Sequence, residues 1–196
     1  MGKLVVNINL TLDGVMQAPG RSDEDTRGGF QYGGWATPYF DPVMGKAAAE
    51  GMTQMPAFLF GRRTYEDFYS VWPHRTDNPF TGFLNVAQKY VASTTLAEPL
   101  PWMNSTLLKG DAGQTVAALK QQSDQNFLVL GCGALVQSLL RHNLVDEYVL
   151  SIHPLVLGTG RRLFAEGSPF TKFQLVDTKT SSTGVIMATY RPAEAA

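Results

Sequence analysis

The sequence predicts an α/β protein: a three-layer α/β/α domain on a mixed, mostly parallel sheet that ends in an antiparallel hairpin. Two fully apolar runs, Phe58-Leu59-Phe60 and Phe127-Leu128-Val129-Leu130, read as strands buried on both faces, as parallel strands between helical layers are. Each runs into glycine and then into a helix-forming segment. Residues 173–178 and 185–190 flank Ser181-Ser182-Thr183-Gly184 and read as a terminal antiparallel hairpin. Strands alternating with helices, closed by a hairpin, place helices on both faces of one mixed sheet.

Taken in order, residues 4–10 are the first strand, with Asn7 and Asn9 departing from its apolar character. It ends in Thr11-Leu12-Asp13-Gly14. Residues 14–38 are rich in Gly, Pro and Asp, and a loop of that length is either a functional lid or disordered. Its aromatics Phe30, Tyr32 and Trp35 favour a lid that covers a substrate. Asp41-Pro42 is an N-cap followed by Pro at the first helical position, opening a helix to about residue 51. The strand at 58–60 follows, and Thr64 with Asp67 three residues on is spaced as in a capping box, so a helix is predicted over 65–70. Trp72-Pro73 ends it, and Asn78-Pro79 opens a short helix to about 85. Residues 89–93 and 105–108 are the next strands. A helix over 113–122 turns Val116 and Leu119 inward. The strand at 127–130 ends at Gly131-Cys132-Gly133, and the helix after it carries Leu135, Val136, Leu139 and Leu140 on one face. A strand at 148–152 leads to Gly158-Thr159-Gly160-Arg161-Arg162. The hairpin and the 148–152 strand would leave an apolar sheet edge, which a twofold homodimer would bury.

Composition narrows the function. The 196 residues make a single domain, 1–196, with a sizeable core. Sixteen Lys and Arg against seventeen Asp and Glu, with no basic run, argue against nucleic acid or an anionic membrane as partner. One cysteine excludes an internal disulfide and a cysteine-rich metal site, and suits a reducing cytoplasm. The first ten residues read as a strand and not a signal peptide, and the apolar run 127–136 is too short to cross a bilayer. The spacing of His74, His142 and His153 puts no pair on one face, so no metal is expected.

Three candidates for binding lie at strand ends. Gly61-Arg62-Arg63-Thr64 joins a buried strand to a helix start, where free N–H groups, the positive end of the helix dipole and two guanidiniums suit an anion; the alternative is a pair of solvated loop charges. Gly131-Cys132-Gly133 occupies the same kind of junction. As a Rossmann fingerprint it is poor, because the third glycine position holds Val136, and the alternative is a tight turn. Cys132 reads as a small buried apolar residue, with no histidine placed by the sequence to activate it. Ser93-Thr94-Thr95 set hydroxyls at a third strand end, or simply make a turn. One extended dinucleotide would touch all three, since ligands of open α/β sheets collect at the carboxyl edge.

Leu-Asp-Gly after the first strand, Gly-Arg-x-Thr after the second, Ser-Thr after the third and Gly-x-Gly after a later one resemble the dihydrofolate reductase-like superfamily. Leu144-Val145-Asp146-Glu147-Tyr148 with Pro154-Leu155-Val156-Leu157-Gly158-Thr159-Gly160-Arg161-Arg162-Leu163-Phe164 is similar, more narrowly, to the reductase domain of the bifunctional riboflavin-biosynthesis deaminase-reductase and its stand-alone relatives. The resemblance spans essentially the whole chain. It implies an NADPH-dependent reductase, usually a homodimer, acting on 5-amino-6-(5-phosphoribosylamino)uracil or a similar small molecule. It places Arg62 near the adenosine 2′-phosphate with Ser93 and Thr94, and Gly61, Arg63 and Thr64 at the helix start facing pyrophosphate. Gly131, Cys132, Gly133, Ala134 and Leu135 would pass under the nicotinamide-side phosphates. Asp13 and Gly14 would border the nicotinamide and the substrate, with Asp13, or a water it orients, as proton donor; the alternative is an Asp that turns a strand end. An arginine beside the ribose fits NADPH over NADH.

The zinc signature of the deaminase half cannot exist in a chain with one cysteine. The riboflavin branch holds its ribose phosphate with an Asp four residues after the motif's Thr, whereas here Asp67 stands three after Thr64. Dihydrofolate reductases carry a lone carboxylate on the first helix, for which Asp41 is the nearest match and an N-cap the alternative. Dihydrofolate reduction, and nucleotide binding without turnover, are therefore the competing readings.

Overall fold

The computed structural model describes residues 2–54 and 57–193. Its elements are β1 (Leu4–Thr11), α1 (Pro42–Gln54), β2 (Ala57–Gly61), α2 (Arg62–Val71), α3 (Phe80–Val86), β3 (Gln88–Ser93), β4 (Ser105–Lys109), α4 (Ala112–Gln122), β5 (Phe127–Leu130), α5 (Gly133–Arg141), β6 (Glu147–His153), β7 (Phe173–Thr180) and β8 (Ile186–Pro192). Eight strands form one sheet in the order β4-β3-β2-β5-β1-β6-β8-β7. The first six in that order pair parallel, and β8 and β7 continue antiparallel. The mixed α/β sheet with its terminal hairpin is the architecture read from the sequence.

The register sorts side chains onto two faces. Val5 pairs with Leu128 and Leu128 with Phe58, while Asn9 pairs with Ser151 and Thr11 with His153. Phe58 and Phe60 therefore share a face with Asn7, Asn9 and His153, because neighbours in register point the same way. On that face the Phe58 and Phe60 rings pack on Phe83 of α3 and Phe68 of α2. The opposite face meets α5, where a Cβ built on Gly61 would touch Leu135 at 3.6 Å. Helices thus cover both faces, and all four residues of Ala57-Phe58-Leu59-Phe60 are fully buried.

The structure departs from the sequence expectation in several elements. Helix α2 starts at Arg62, not at residue 65, and its N-cap is Gly61 in an extended conformation with no side-chain cap bond. Thr64 therefore lies inside the first turn and caps nothing. At the hairpin end of the sheet the edge is β7 alone, and β4 is the edge at the other end. The Tyr148 strand, β6, is interior, with β1 on one side and β8 on the other, and Tyr148 is fully buried.

Two lysines are buried without any pattern to announce them. The ammonium of Lys89 donates to the carbonyls of Asn85, Ala87 and Met103 and lies 4.5 Å from the centre of the Trp102 ring. Burial pushes its pKa down from 10.5 to about 8. Lys120 donates to Leu144 O and to Asp146 Oδ2 at 2.5 Å, and the same carboxylate oxygen accepts the N–H of Leu4. Each lysine ties a helix region to the loop beside it. Among the described residues no helix is long and apolar enough to cross a membrane.

Candidate functional site

The carboxyl ends of β1, β2, β3, β5 and β6 open onto one cleft of 1310 Å³. That volume exceeds the roughly 300–1,000 Å³ of a typical small-molecule pocket, so the cleft has room for two ligands side by side. Gly61, Arg62, Arg63, Thr64, Ser93, Thr94, Gly131, Cys132, Gly133, Ala134 and Leu135 all line it. These eleven candidate cofactor residues come from three separate stretches of sequence, and the sheet brings them onto one wall.

Two helices begin on this wall. Helix α2 starts after Gly61 and α5 after Cys132, and neither N-cap supplies a side-chain acceptor. By contrast α1 is capped by Asp41, which accepts from Met44 N at 2.8 Å, and α4 by Asp111, which accepts from Gln114 N. Free N–H groups and dipole positive ends of α2 and α5 are therefore left for a ligand.

Cys132 is in the left-handed region, φ 55, an arrangement that costs a residue with a Cβ roughly 1 kcal/mol. It is buried, and its Sγ accepts the Gly61 N–H at 3.3 Å, joining the two helix starts. Burial raises its thiol to about 11, so it is no nucleophile. At Gly133 a Cβ would stand 2.3 Å from the sulfur of Met16, so glycine is what allows the loop after β1 to close over the turn.

The cations differ in availability. Arg62 pairs with Glu66 one helical turn on, at 3.1 Å and with both side chains more than a third exposed. Arg63 has no carboxylate partner among the described residues. Ser93 Oγ accepts from Thr95 N and Leu96 N, both at 3.1 Å, which shapes the turn that presents Thr94.

Four residues singled out from the sequence do not line the cleft. The carboxylate of Asp13 accepts Thr11 Oγ1 at 2.6 Å and the N–H groups of Leu157 and Gly158 at 3.2 and 2.9 Å, with Arg162 at 3.5 Å. The Thr11 hydroxyl above all, then the two backbone donors, hold its pKa down to about 2. An acid ionised at that level has no proton to give at neutral pH, so the expectation of Asp13 as proton donor is corrected: it clamps the loop after β1 to the loop after β6. Gly14, at φ 78, turns the chain in that clamp and borders a smaller apolar cavity on the other face. Asp41 caps α1 with one oxygen and accepts Ser182 N and Oγ with the other, both at 2.7 Å. It faces the hairpin and not the cleft, which corrects its candidacy for substrate binding. Trp35 is buried with Val15, Ala18 and Phe30, and donates Nε1–H to Gln17 O at 2.7 Å. Of the three loop aromatics, Phe30 and Trp35 belong to a small core of their own, while Tyr32 is exposed. Trp35 is not the surface that a substrate meets.

Sequence reasoning missed the groups that hold this lid. Gln17, 2 % exposed, donates to the carbonyls of Asp25 and Arg27 and accepts Arg161 N. Arg21 spans to Asp67 on α2 at 2.5 Å. Asp67, one position off the riboflavin pattern, is thus held by the lid. The remaining signal was in the sequence. Asn7, Asn9 and His153 stand on the cleft floor.

An open, mostly parallel α/β sheet thus carries two uncapped helix starts at its carboxyl edge, both in one large cleft. The chain belongs to the RibD C-terminal domain family, which it matches over residues 2–187. It is 27% identical to the uncharacterized protein YyaP of Bacillus subtilis, over 96% of this chain and 94% of that protein. Among solved structures, a Shewanella sp. PV-4 protein provisionally assigned to riboflavin biosynthesis superposes with a TM-score of 0.73 at 24% identity, covering 98% of this chain and 99% of that one. The Thermotoga maritima diaminohydroxyphosphoribosylaminopyrimidine deaminase/5-amino-6-(5-phosphoribosylamino)uracil reductase gives 0.64 at 17% identity, covering 98% of this chain and 57% of that one. Dihydrofolate reductase of Enterococcus faecalis, solved with NADP(H), gives 0.62 at 12%, covering 98% of each chain. The fold is thus dihydrofolate reductase-like, and family membership supports a reductase-type role of the riboflavin-pathway kind.

Proposed function

We propose that the chain is an NADPH-dependent reductase of a small carbonyl or imine compound, with a ribosylamino-pyrimidine of the riboflavin pathway as the nearest substrate type. The observation that carries this reading is the pair of uncapped helix starts, α2 and α5, on the wall of one cleft. The residues present fit a dinucleotide. Arg62, Arg63 and the N–H groups of the first turn of α2 would hold one phosphate, with Thr94 beside them. Gly131 to Leu135, at the start of α5, would hold the other. When bound, the nicotinamide supplies the hydride. The chain's part is to orient it and to present the substrate from the floor, beneath the loop that Gln17 and Arg21 hold in place. With Asp13 ionised and turned away, the accompanying proton comes from solvent that reaches the cleft. Folate is disfavoured because Asp41, the acid on α1, is engaged with Met44 and Ser182.

Thermal unfolding with added cofactor is the direct test. A ligand at about 100 times its Kd adds roughly 2.7 kcal/mol of stability, so NADPH should raise the melting temperature by several degrees and NADH less. NADPH oxidation should then follow on adding a ribosylamino-pyrimidine. No shift with millimolar NADPH would remove the proposal. A shift without turnover of any carbonyl compound would favour a binding protein, and methotrexate-sensitive turnover of dihydrofolate would favour folate.

A further inference from the structure

Asparagine is a poor strand former, and a buried amide costs free energy unless it is bonded. Yet β1, the strand between β5 and β6, carries two asparagines on the same face, Asn7 and Asn9, among the fully or nearly fully buried Val5, Val6, Ile8 and Leu10. Both line the cleft and both are only half-buried. Such violations of strand chemistry cluster where function demands them.

Asn9 is held from one side. Its Oδ1 lies 3.0 Å from Nε2 of His153, a fully buried ring in edge-to-face contact with Trp35 and Tyr39. The other ring nitrogen, Nδ1, is buried and unpartnered. An orphaned N–H is rarer in proteins than an orphaned acceptor, so the hydrogen sits on Nε2 and Asn9 Oδ1 accepts it. Burial holds His153 down to about 4, so at neutral pH the ring stays uncharged. With the oxygen fixed on His153, the Asn9 amide turns its two N–H donors away from the ring. Nδ2 is not among the buried unpartnered atoms and has no protein partner among the described residues, so it is open to the cleft.

We propose that Asn9, positioned by His153, is the specificity-determining contact on the cleft floor, donating to a neutral acceptor such as a ring carbonyl and discriminating against ligands that present a cationic donor edge there. This rests on the reductase reading only in taking that ligand to be the substrate. His153 is a positioning residue: it acts through Asn9.

The test is binding of two probes, uracil as neutral cyclic carbonyl and protonated 2,4-diaminopyrimidine as cationic donor, to wild type and variants, measured by calorimetry without cofactor. NADPH affinity is measured in parallel. Wild type should prefer uracil. Asn9→Asp should invert the preference, with a change in the ratio of about tenfold or more, as expected for exchanging a donor for a charged acceptor. Asn9→Leu should lose uracil by about tenfold with no gain of the cation, and stands in should Asn9→Asp not fold. His153→Phe should weaken uracil like Asn9→Leu, while His153→Gln, which keeps an N–H toward Asn9, should restore much of it. NADPH affinity should stay within about twofold throughout. An unchanged probe ratio in Asn9→Asp, a wild type that binds neither probe, or equal effects of His153→Phe and His153→Gln overturns the proposal. Failure of wild type to bind NADPH, with the probe ratios as stated, overturns the reductase reading and leaves this one standing.

Discussion

Removal of Arg62 is the sharpest test of the cofactor half of the cleft. Its guanidinium stands in the first turn of α2, on the wall, with Glu66 as its partner at 3.1 Å. If it meets the 2′-phosphate of NADPH, that charge-assisted contact contributes roughly 1.5–3 kcal/mol. The pair with Glu66 must be loosened first. Both side chains are more than a third exposed, so screening keeps that cost to about 0.3–0.5 kcal/mol. The net, about 1–2.5 kcal/mol, corresponds to roughly 5- to 70-fold in affinity. Arg62→Ala should therefore weaken NADPH by that factor and leave NADH nearly unchanged, because NADH has no phosphate there. Glu66→Gln should tighten NADPH by about twofold, since it frees the guanidinium. Salt should narrow the gap between the two cofactors. Nicotinamide fluorescence titrations of both cofactors against wild type and both variants decide it. Equal loss for NADPH and NADH would mean that Arg62 only supports the helix start, and no loss would mean that it is a solvated charge; either result refutes the assignment.

Further outcomes follow from the same structure. Asp13 has a folded pKa of about 2 against an ordinary 3.8, so its contribution is present above about pH 4 and lost as pH falls toward 2; Asp13→Asn should cost about 1–2 kcal/mol at pH 7, flatten the acid limb of a urea-unfolding series, and leave kcat within a few-fold. Lys89 has the same sign of linkage in a higher pH window, although there it is the charged form that folding disfavours. Its folded pKa is depressed to about 8 from 10.5, so the unfolded chain binds more protons in between and stability should rise with pH from about 8 to 10.5; the rise should be absent from Lys89→Met when denaturation midpoints are compared across that range. Cys132 should resist iodoacetamide in the native protein and react fully in urea; rapid native labelling would contradict its burial. We further propose that the open β7 edge, with Leu175 and Val176 exposed, is covered in a homodimer, for which light scattering should give about twice 21.4 kDa, and a mass of 21.4 kDa at micromolar concentration would reject it.

The fold was legible where a single property decided it. Phe127–Leu130 is apolar throughout, and its strand bounds match the reading to the residue. The strand-to-helix junctions that share one wall of the cleft were legible too, because strand, glycine and helix start follow one another in sequence. What escaped depends on partners far away in the chain. Asp41 reads as an N-cap and is one, but its second oxygen answers to Ser182, 141 positions on. Asp13 at a strand end next to glycine looks like a residue at a reactive edge, and only the Leu157 and Gly158 amides reveal the clamp. Thr64 and Asp67 match a capping box by spacing alone, yet the extended backbone of Gly61 starts the helix three residues earlier than that box would allow. Buried Lys89 carries no signal, since all three of its acceptors are backbone carbonyls, which any sequence supplies. Asn9 was visible as a misfit in its strand, but its partner His153 lies 144 positions away.

The clamps on the lid also set an order of events during synthesis. Asp13 grips Gly158, Gln17 grips Arg161, and Val15 bridges Arg162, so the roof of the cleft is built from the first and last thirds of the chain. At about 5–20 residues per second, roughly 7–30 s pass on the ribosome between the two halves of each contact. Throughout that interval Val15, Phe30 and Trp35 have no partner strand-end to close against, and the nascent chain offers them to chaperones instead. The wall that carries the α2 and α5 starts is complete in the sequence by residue 135, ahead of the segment that closes its roof. A cotranslational assay that stalls the chain before and after residue 163 should therefore show protection of β1 to β5 first and of residues 15–35 only once the later segment has left the exit tunnel.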